Sequence, residues 1–185
     1  LEAFDAARLF VRSARRTDPA LAPQANAAAI IAICREVEGL PLALELAATW
    51  TRVLPCDAIA AELRGGTQLL RAQDPAWPVR HGSMEIVFEH SWSLLGAAER
   101  EALARLSVFR GGFTADAALR VANAPLPVLA SLVDKSLLRK DGQRLLQHPL
   151  IQQLSALRLD PGVRGEVEAR HARHFHDLLE QSESA

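Results

Sequence analysis

Few side chains in this 185-residue chain stand in patterns that could do chemistry. His148 immediately precedes Pro149, which holds its imidazole where a strand signal gives way to a helix signal. A helix N-terminus attracts anions, because its first backbone N–H groups have no carbonyl partners. An imidazole at that place would add a donor to a phosphate, and a junction histidine bonded only to backbone is the plainer alternative. His171 and His174 stand three apart on a helical pattern. They could share a metal ion if Asp177 or His176 supplied a third ligand, although a half-buried helix face against a neighbour explains them more simply. Gly39-Leu40-Pro41 is the other conspicuous stretch. Glycine takes a left-handed backbone at a helix end without penalty, and proline fits the first turn of the next helix. Two helices therefore meet there at a tight corner, where a ligand could come close to backbone.

Other chemistry is excluded by what is missing. No Gly-Lys pair occurs, so the phosphate-gripping G-x-x-x-x-G-K-[ST] loop is absent from this chain. No G-x-S-x-G elbow occurs either. Cys34 and Cys56 are too few for a Cys-rich zinc site or a disulfide framework. This chain by itself is not expected to be an enzyme.

The elements that must position these residues are helical. Ala and Leu dominate and Tyr is absent. Leu1 to about Arg16 carries a helical stripe at Phe4, Ala7, Phe10, Val11 and Ala14. A second helix is expected from about Asn26 to Val37, ended by Gly39. A third runs from Pro41 to about Val53, with Leu42, Leu46, Trp50 and Val53 inward and Glu45, Thr49 and Arg52 outward. A fourth, Asp57 to Leu63, is ended by Gly65-Gly66, and Gln73-Asp74-Pro75-Ala76-Trp77-Pro78 reads as a linker.

Beyond it, Met84, Val87, Phe88, Ser91 and Leu95 align on one helix terminated by Gly96. A further helix, Ala98 to Phe109, is closed by Gly111-Gly112. Thr114 suits the N-cap of the next, and Pro125 and Pro127 introduce another with Val128 or Leu129, Leu132 and Val133 inward. Leu137-Leu138-Arg139 and Arg144-Leu145-Leu146 then flank an Asp141-Gly142 hairpin signal. Pro149 starts one more helix, and from Val163 an amphipathic helix carries Val167, His171, His174 or Phe175, and Leu178. Its packing partner is expected outside this chain, unless it folds back.

The fold class expected is mainly α: a small helical bundle, a winged helix-turn-helix with one β-hairpin, and a C-terminal helix. Its wing offers Arg139, Lys140 and Arg144, but Asp141 sits among them and Lys135 is offset by Asp134. Residues 80–160 carry ten Lys/Arg against eight Asp/Glu, too even for a duplex reader, so no DNA contact is expected from this chain. A formal net charge of −1 gives no broad field for a membrane, and no run approaches the roughly 20 apolar residues of a span. Cys34 in an apolar helix reads as a reduced core cysteine, so a cytoplasmic location is expected. Leu1 opens the chain and Met84 is its one methionine, so a piece of a longer protein is expected.

Taken together the motifs resemble a family. Gly39-Leu40-Pro41-Leu42-Ala43 resembles the G-L-P-L-A motif of STAND-type (NB-ARC or AP-ATPase-like) signalling nucleotidases, whose most similar bacterial members are large transcriptional regulators carrying LuxR-type or other DNA-binding domains. Arg80-His81-Gly82-Ser83-Met84, Ser107 to Phe113 (SVFRGGF), Leu132 to Leu138 (LVDKSLL) and His148-Pro149-Leu150-Ile151 resemble the family's downstream signatures, in the right order over about residues 1–160.

The resemblance implies a division into residues 1–75, a helical domain; 76–82, a linker; 83–160, a winged-helix domain; and 161–185, the start of a helical arm or repeat sensor. It implies partners outside the chain: a P-loop domain before it and helical repeats after it, with oligomerisation when ATP is bound. ADP or ATP would bind the full-length parent, a slow ATPase, and the isolated chain is expected to bind none. In the family the proline of G-L-P packs against the nucleotide, a role that would fall to Pro41 with Gly39 and Leu40 forming the corner. A histidine at the end of the hairpin reaches the β-phosphate of ADP and would be His148. Gln147-His148-Pro149 stands where the family has Met-His-Asp, so the histidine contact carries over without an acid for an ion-pair lock. The alternatives are a winged-helix DNA-binding module and a helical interaction scaffold.

Overall fold

The computed structural model describes residues 5–73 and 79–183 and divides the chain into two units, Leu1–Leu94 and Leu95–Ala185. It is mainly α, a helical bundle followed by a winged-helix-like region with one hairpin and a C-terminal helix.

The first unit contains α1 (Asp5–Thr17), α2 (Ala27–Glu36), α3 (Pro41–Thr49), a 3-10 turn (Trp50–Arg52), α4 (Cys56–Gln73) and α5 (Val79–Ser93). Helix α1 packs on α3, α2 on α4, and α5 on both α3 and α4. Phe10, Ile30, Ile33, Leu44, Leu46, Trp50, Ile59 and Phe88 form the core. Each such side chain contributes roughly 1.5–3 kcal/mol when taken out of water. Trp50 satisfies its one polar atom internally, donating Nε1–H to Ser91 Oγ at 3.2 Å, and its ring lies 3.9 Å from that of His90.

Those two contacts place α5 with the first unit. The boundary between units falls at Leu94/Leu95. Residues 74–78, the Pro-rich core of the linker expected from the sequence, lie outside the described residues. The face read for α5 is the buried one: Met84, Val87, Phe88, Ser91 and Leu95 are all 5% exposed or less.

Three local expectations are corrected. Helix α3 is buried nearly all round, because α1 and α5 both pack on it; Val53 is 59% exposed, Leu42 is half-buried, and of the outward set only Arg52 is exposed. Helix α4 runs through Gly65-Gly66, neither of which has a positive φ. An interior glycine costs a helix about 1 kcal/mol but does not end it unless the next residues turn away. Gly96 does not terminate α5; it stands at the N-cap of the following helix.

The second unit contains α6 (Ala97–Leu106), α7 (Ala115–Ala122), α8 (Leu126–Asp134), β1 (Arg139–Asp141), β2 (Arg144–Leu146), α9 (Pro149–Ala156) and α10 (Pro161–Glu183). Thr114 caps α7, its Oγ1 accepting the Ala117 N–H at 3.2 Å. The strands pair antiparallel, Arg139 opposite Leu146 and Asp141 opposite Arg144, around Gly142-Gln143 with Gly142 at φ +57°.

Gly111-Gly112 closes no helix. It leads into Phe113, which exchanges two backbone hydrogen bonds with Leu145 at 2.9 and 2.7 Å and adds a bridge to the hairpin edge. A Cβ at Gly112 would meet Leu146 Cδ2 at 2.8 Å and the Leu145 carbonyl at 3.3 Å, so a side chain there would displace Leu146 and crowd the strand edge. Helix α10 finds its partner inside this unit: Val167 is fully buried, the helix packs on α7, and His171 and Phe175 lie edge-on to Phe109.

Candidate functional site

The Gly39-Leu40-Pro41 corner is built by two successive left-handed residues. Glu38 has φ +52° and Gly39 φ +67°. The Glu38 N–H bonds to the Arg35 carbonyl at 3.0 Å and the Gly39 N–H to the Cys34 carbonyl at 2.9 Å. That pair of bonds is a Schellman closure with Glu38, not Gly39, as its first left-handed residue. Leu40 is extended (φ −61°, ψ 118°) as the N-cap of α3, and Pro41 is exposed at its first turn. The corner thus presents an exposed proline ring on a helix N-terminus whose side faces the bundle core through Ala43, Leu44 and Leu46.

His148 occupies the N-cap of α9. Its Nδ1 accepts the Leu150 N–H at 3.2 Å, which in the neutral ring puts the proton on Nε2 and makes that atom a donor. The ring is exposed. The preceding Gln147 donates Nε2–H to the fully buried Ser155 Oγ at 3.2 Å, tying the strand end to α9. Gln152, one turn into α9, donates to the carbonyls of Ser107 (3.0 Å) and Phe109. The junction that carries His148 is therefore fastened to the end of α6. Gly39, Leu40 and Pro41 lie on the first unit and His148 on the second.

The face of α8, second helix of the helix-turn-helix pair, bears little charge. Leu126 is 68% exposed, and Pro127, Ala130 and Asp134 share the surface. Lys135 at its end is half-buried, with Nζ 2.6 and 2.7 Å from the two carboxylate oxygens of Glu99. Glu99 also accepts from Ser131 Oγ–H and, at 2.6 Å, from the Gly96 N–H. Burial raises its pKa, but the hydrogen bonds from Lys135, Ser131 and Gly96 outweigh it and hold the carboxyl below its usual value. Nothing local in the sequence marks this pair, whose members are 36 residues apart. Gln152 and its carbonyl partners are equally illegible.

His171 is occupied by packing. It is half-buried, 5.0 Å from the Phe109 ring and 4.7 Å from Phe175, and burial together with neighbouring His174 lowers its pKa. Among the described residues, those that bring metal-ligating atoms within 4.8 Å of one another are His176, Asp177 and Glu180, all exposed on α10. Among the described residues no helix is long and apolar enough to cross a membrane.

No family model matches the chain. It is 35% identical over 189 residues to an uncharacterized protein of Mycobacterium tuberculosis, a match that covers 92% of this chain and 47% of that protein. It is 33% identical over 180 residues to a Mycobacterium tuberculosis protein named "Putative HTH-type transcriptional regulator", covering 92% of this chain and 20% of that one. Mycobacterium bovis has relatives of both kinds at the same identities. The chain spans about half the length of the first of these curated relatives and a fifth of the second. Its relatives thus include proteins named as transcriptional regulators.

Proposed function

We propose that this chain is a regulatory portion of a larger protein related to transcriptional regulators, in which it transmits the state of a bound adenine nucleotide. The nucleotide would be held by a P-loop domain outside this chain. Pro41 would pack on it from the first unit, and His148 Nε2–H would donate to its β-phosphate from the second. Exchange of ADP for ATP would alter the phosphate geometry that His148 meets, release the winged-helix unit and permit oligomerisation.

The observation that carries this reading is the state of the His148 ring: exposed, at a helix N-terminus, with Nδ1 taken by the Leu150 N–H. A neutral ring held so carries its proton on Nε2, and an N–H donor at a helix N-terminus suits an anion. The exposed Pro41 at a rigid corner and the ordered set of motifs support it. The competing reading, a DNA-reading winged helix, is disfavoured by the Lys135–Glu99 pair and by the surface of α8, whose exposed charge is the acid Asp134. A helical scaffold predicts no effect of Pro41 or His148 on any ligand.

The test is to purify the full-length parent, denature it and identify the nucleotide released. Near-stoichiometric ADP is expected, while the isolated 185-residue chain should hydrolyse no ATP. A parent that carries no nucleotide and binds none added would contradict the proposal.

A further inference from the structure

The exposed face of α1 is a ridge of arginines. Arg8, Arg12, Arg15 and Arg16 are all exposed. At 3.6 residues per turn they fall within an arc of about 100° and span about 12 Å of helix. The opposite side is anchored by buried Ala7, Phe10 and Ala14 against α3. Thr17 fixes the end, its hydroxyl bonding to the Ala14 carbonyl at 2.9 Å and the Ala48 carbonyl at 3.3 Å, and lying 3.1 Å from Thr51 Oγ1. The ridge is thus a rigid feature of the first unit.

Its charge is poorly balanced nearby. Asp5 is the one acid within the arc, 3.9 Å from Arg8. Asp18 follows the helix and is half-buried, with Oδ1 accepting the Ala20 N–H at 3.1 Å. Over residues 5–65 seven arginines meet seven carboxylates, yet four of the arginines and one of the acids lie on α1. The near-zero net charge conceals this segregation. Two ordinary roles account for part of it: Arg15 and Arg16 complement the helix dipole, and any soluble helix needs a polar face. Neither requires four cations and a single acid.

We infer that the α1 ridge is a docking surface for the phosphate backbone of a nucleic-acid duplex. Guanidinium forks suit phosphate and carboxylate alike, so the choice rests on what surrounds them. A protein interface has an apolar centre, and α1 contributes none of the exposed large hydrophobic side chains of the described residues. Phosphate contacts need no such centre, only cations in a row on a firm support. The contact would be independent of sequence. Helix α1 lies outside residues 80–160, whose ten Lys/Arg and eight Asp/Glu are too even for a duplex reader.

The experiment is fluorescence anisotropy of the 185-residue chain with a labelled 20-base-pair duplex of arbitrary sequence, at 50 and 200 mM salt. Binding at 50 mM is expected, weakening roughly 100-fold at 200 mM if about four phosphates are neutralised. The quadruple variant Arg8→Gln, Arg12→Gln, Arg15→Gln, Arg16→Gln should lose it with its thermal midpoint retained. The double variant Arg12→Gln, Arg16→Gln should lower the salt slope by about 2. Arg139→Gln with Lys140→Gln on the wing should change nothing. The inference is overturned by absent binding at 50 mM, by binding that survives the quadruple variant or falls with the wing variant, or by equally tight binding of polyglutamate.

Discussion

Glu99 on α6 grips Lys135 at the end of α8 with both carboxylate oxygens, 2.6 and 2.7 Å from Nζ, while its backbone-facing oxygen also takes the Gly96 N–H. One carboxylate thereby caps its own helix and fastens the helix-turn-helix pair to α6. It also neutralises the cation that a nucleic-acid reader would have turned outward.

The Glu99 network should make the second unit sensitive to acid. Its carboxyl is held below the ordinary value of 4.5, so its stabilisation is fully present above that pH and is lost as pH falls through the lowered folded value. Urea unfolding at pH 6 should show Glu99→Gln less stable by about 1–3 kcal/mol, because Lys135 is left partly buried without its counter-ion. At pH 3 the difference should shrink.

His171 should titrate with the same sense of stability but at higher pH. Burial, then His174, lowers its folded pKa below 6.5, so protonation favours the unfolded state. Stability is present above 6.5 and declines as pH falls through the folded value. Thermal scans at pH 7.5 and 5.5 should show a smaller drop for His171→Leu than for the parent chain. His90 in the first unit shifts in the same direction, through burial opposed by Glu62, and should contribute its own share.

Two glycines side by side should behave differently. Gly111 has open space at its missing Cβ, so Gly111→Ala should be nearly neutral. Gly112 is pressed against Leu146 and the Leu145 carbonyl, and Gly112→Val should destabilise by about 1–3 kcal/mol through displaced wing contacts. Chemical denaturation of the two variants checks the contrast.

At the corner before α3, Gly39→Ala should cost about 1–2 kcal/mol, since φ +67° strains any side chain even with room for the Cβ. Calorimetry of the purified variant measures it directly.

What the sequence disclosed was local. The α5 stripe, the Thr114 cap, the Asp-Gly hairpin and the positions of Pro41 and His148 each follow from a few neighbouring residues, and each is found in place. The missed features were those decided at a distance. Helix α3 half-buries Glu45 and Thr49 because α1 and α5 cover it, and α10 folds back because Phe109 offers it a seat. Gln152 reaches carbonyls 45 and 43 residues away, a pairing that no pattern within α9 announces. The places of Pro41 and His148 at helix starts were legible, while the bonds that fix the His148 junction were not.

The proposed contacts of His148 with the β-phosphate and of Pro41 with the nucleotide are tested most directly by the dissociation rate of ADP from the full-length parent. A lost hydrogen bond to a charged phosphate is worth about 1.5–3 kcal/mol, so His148→Ala should release ADP roughly 10- to 150-fold faster, with Pro41→Ala also accelerating it. Release at the parent rate from both variants would contradict the account.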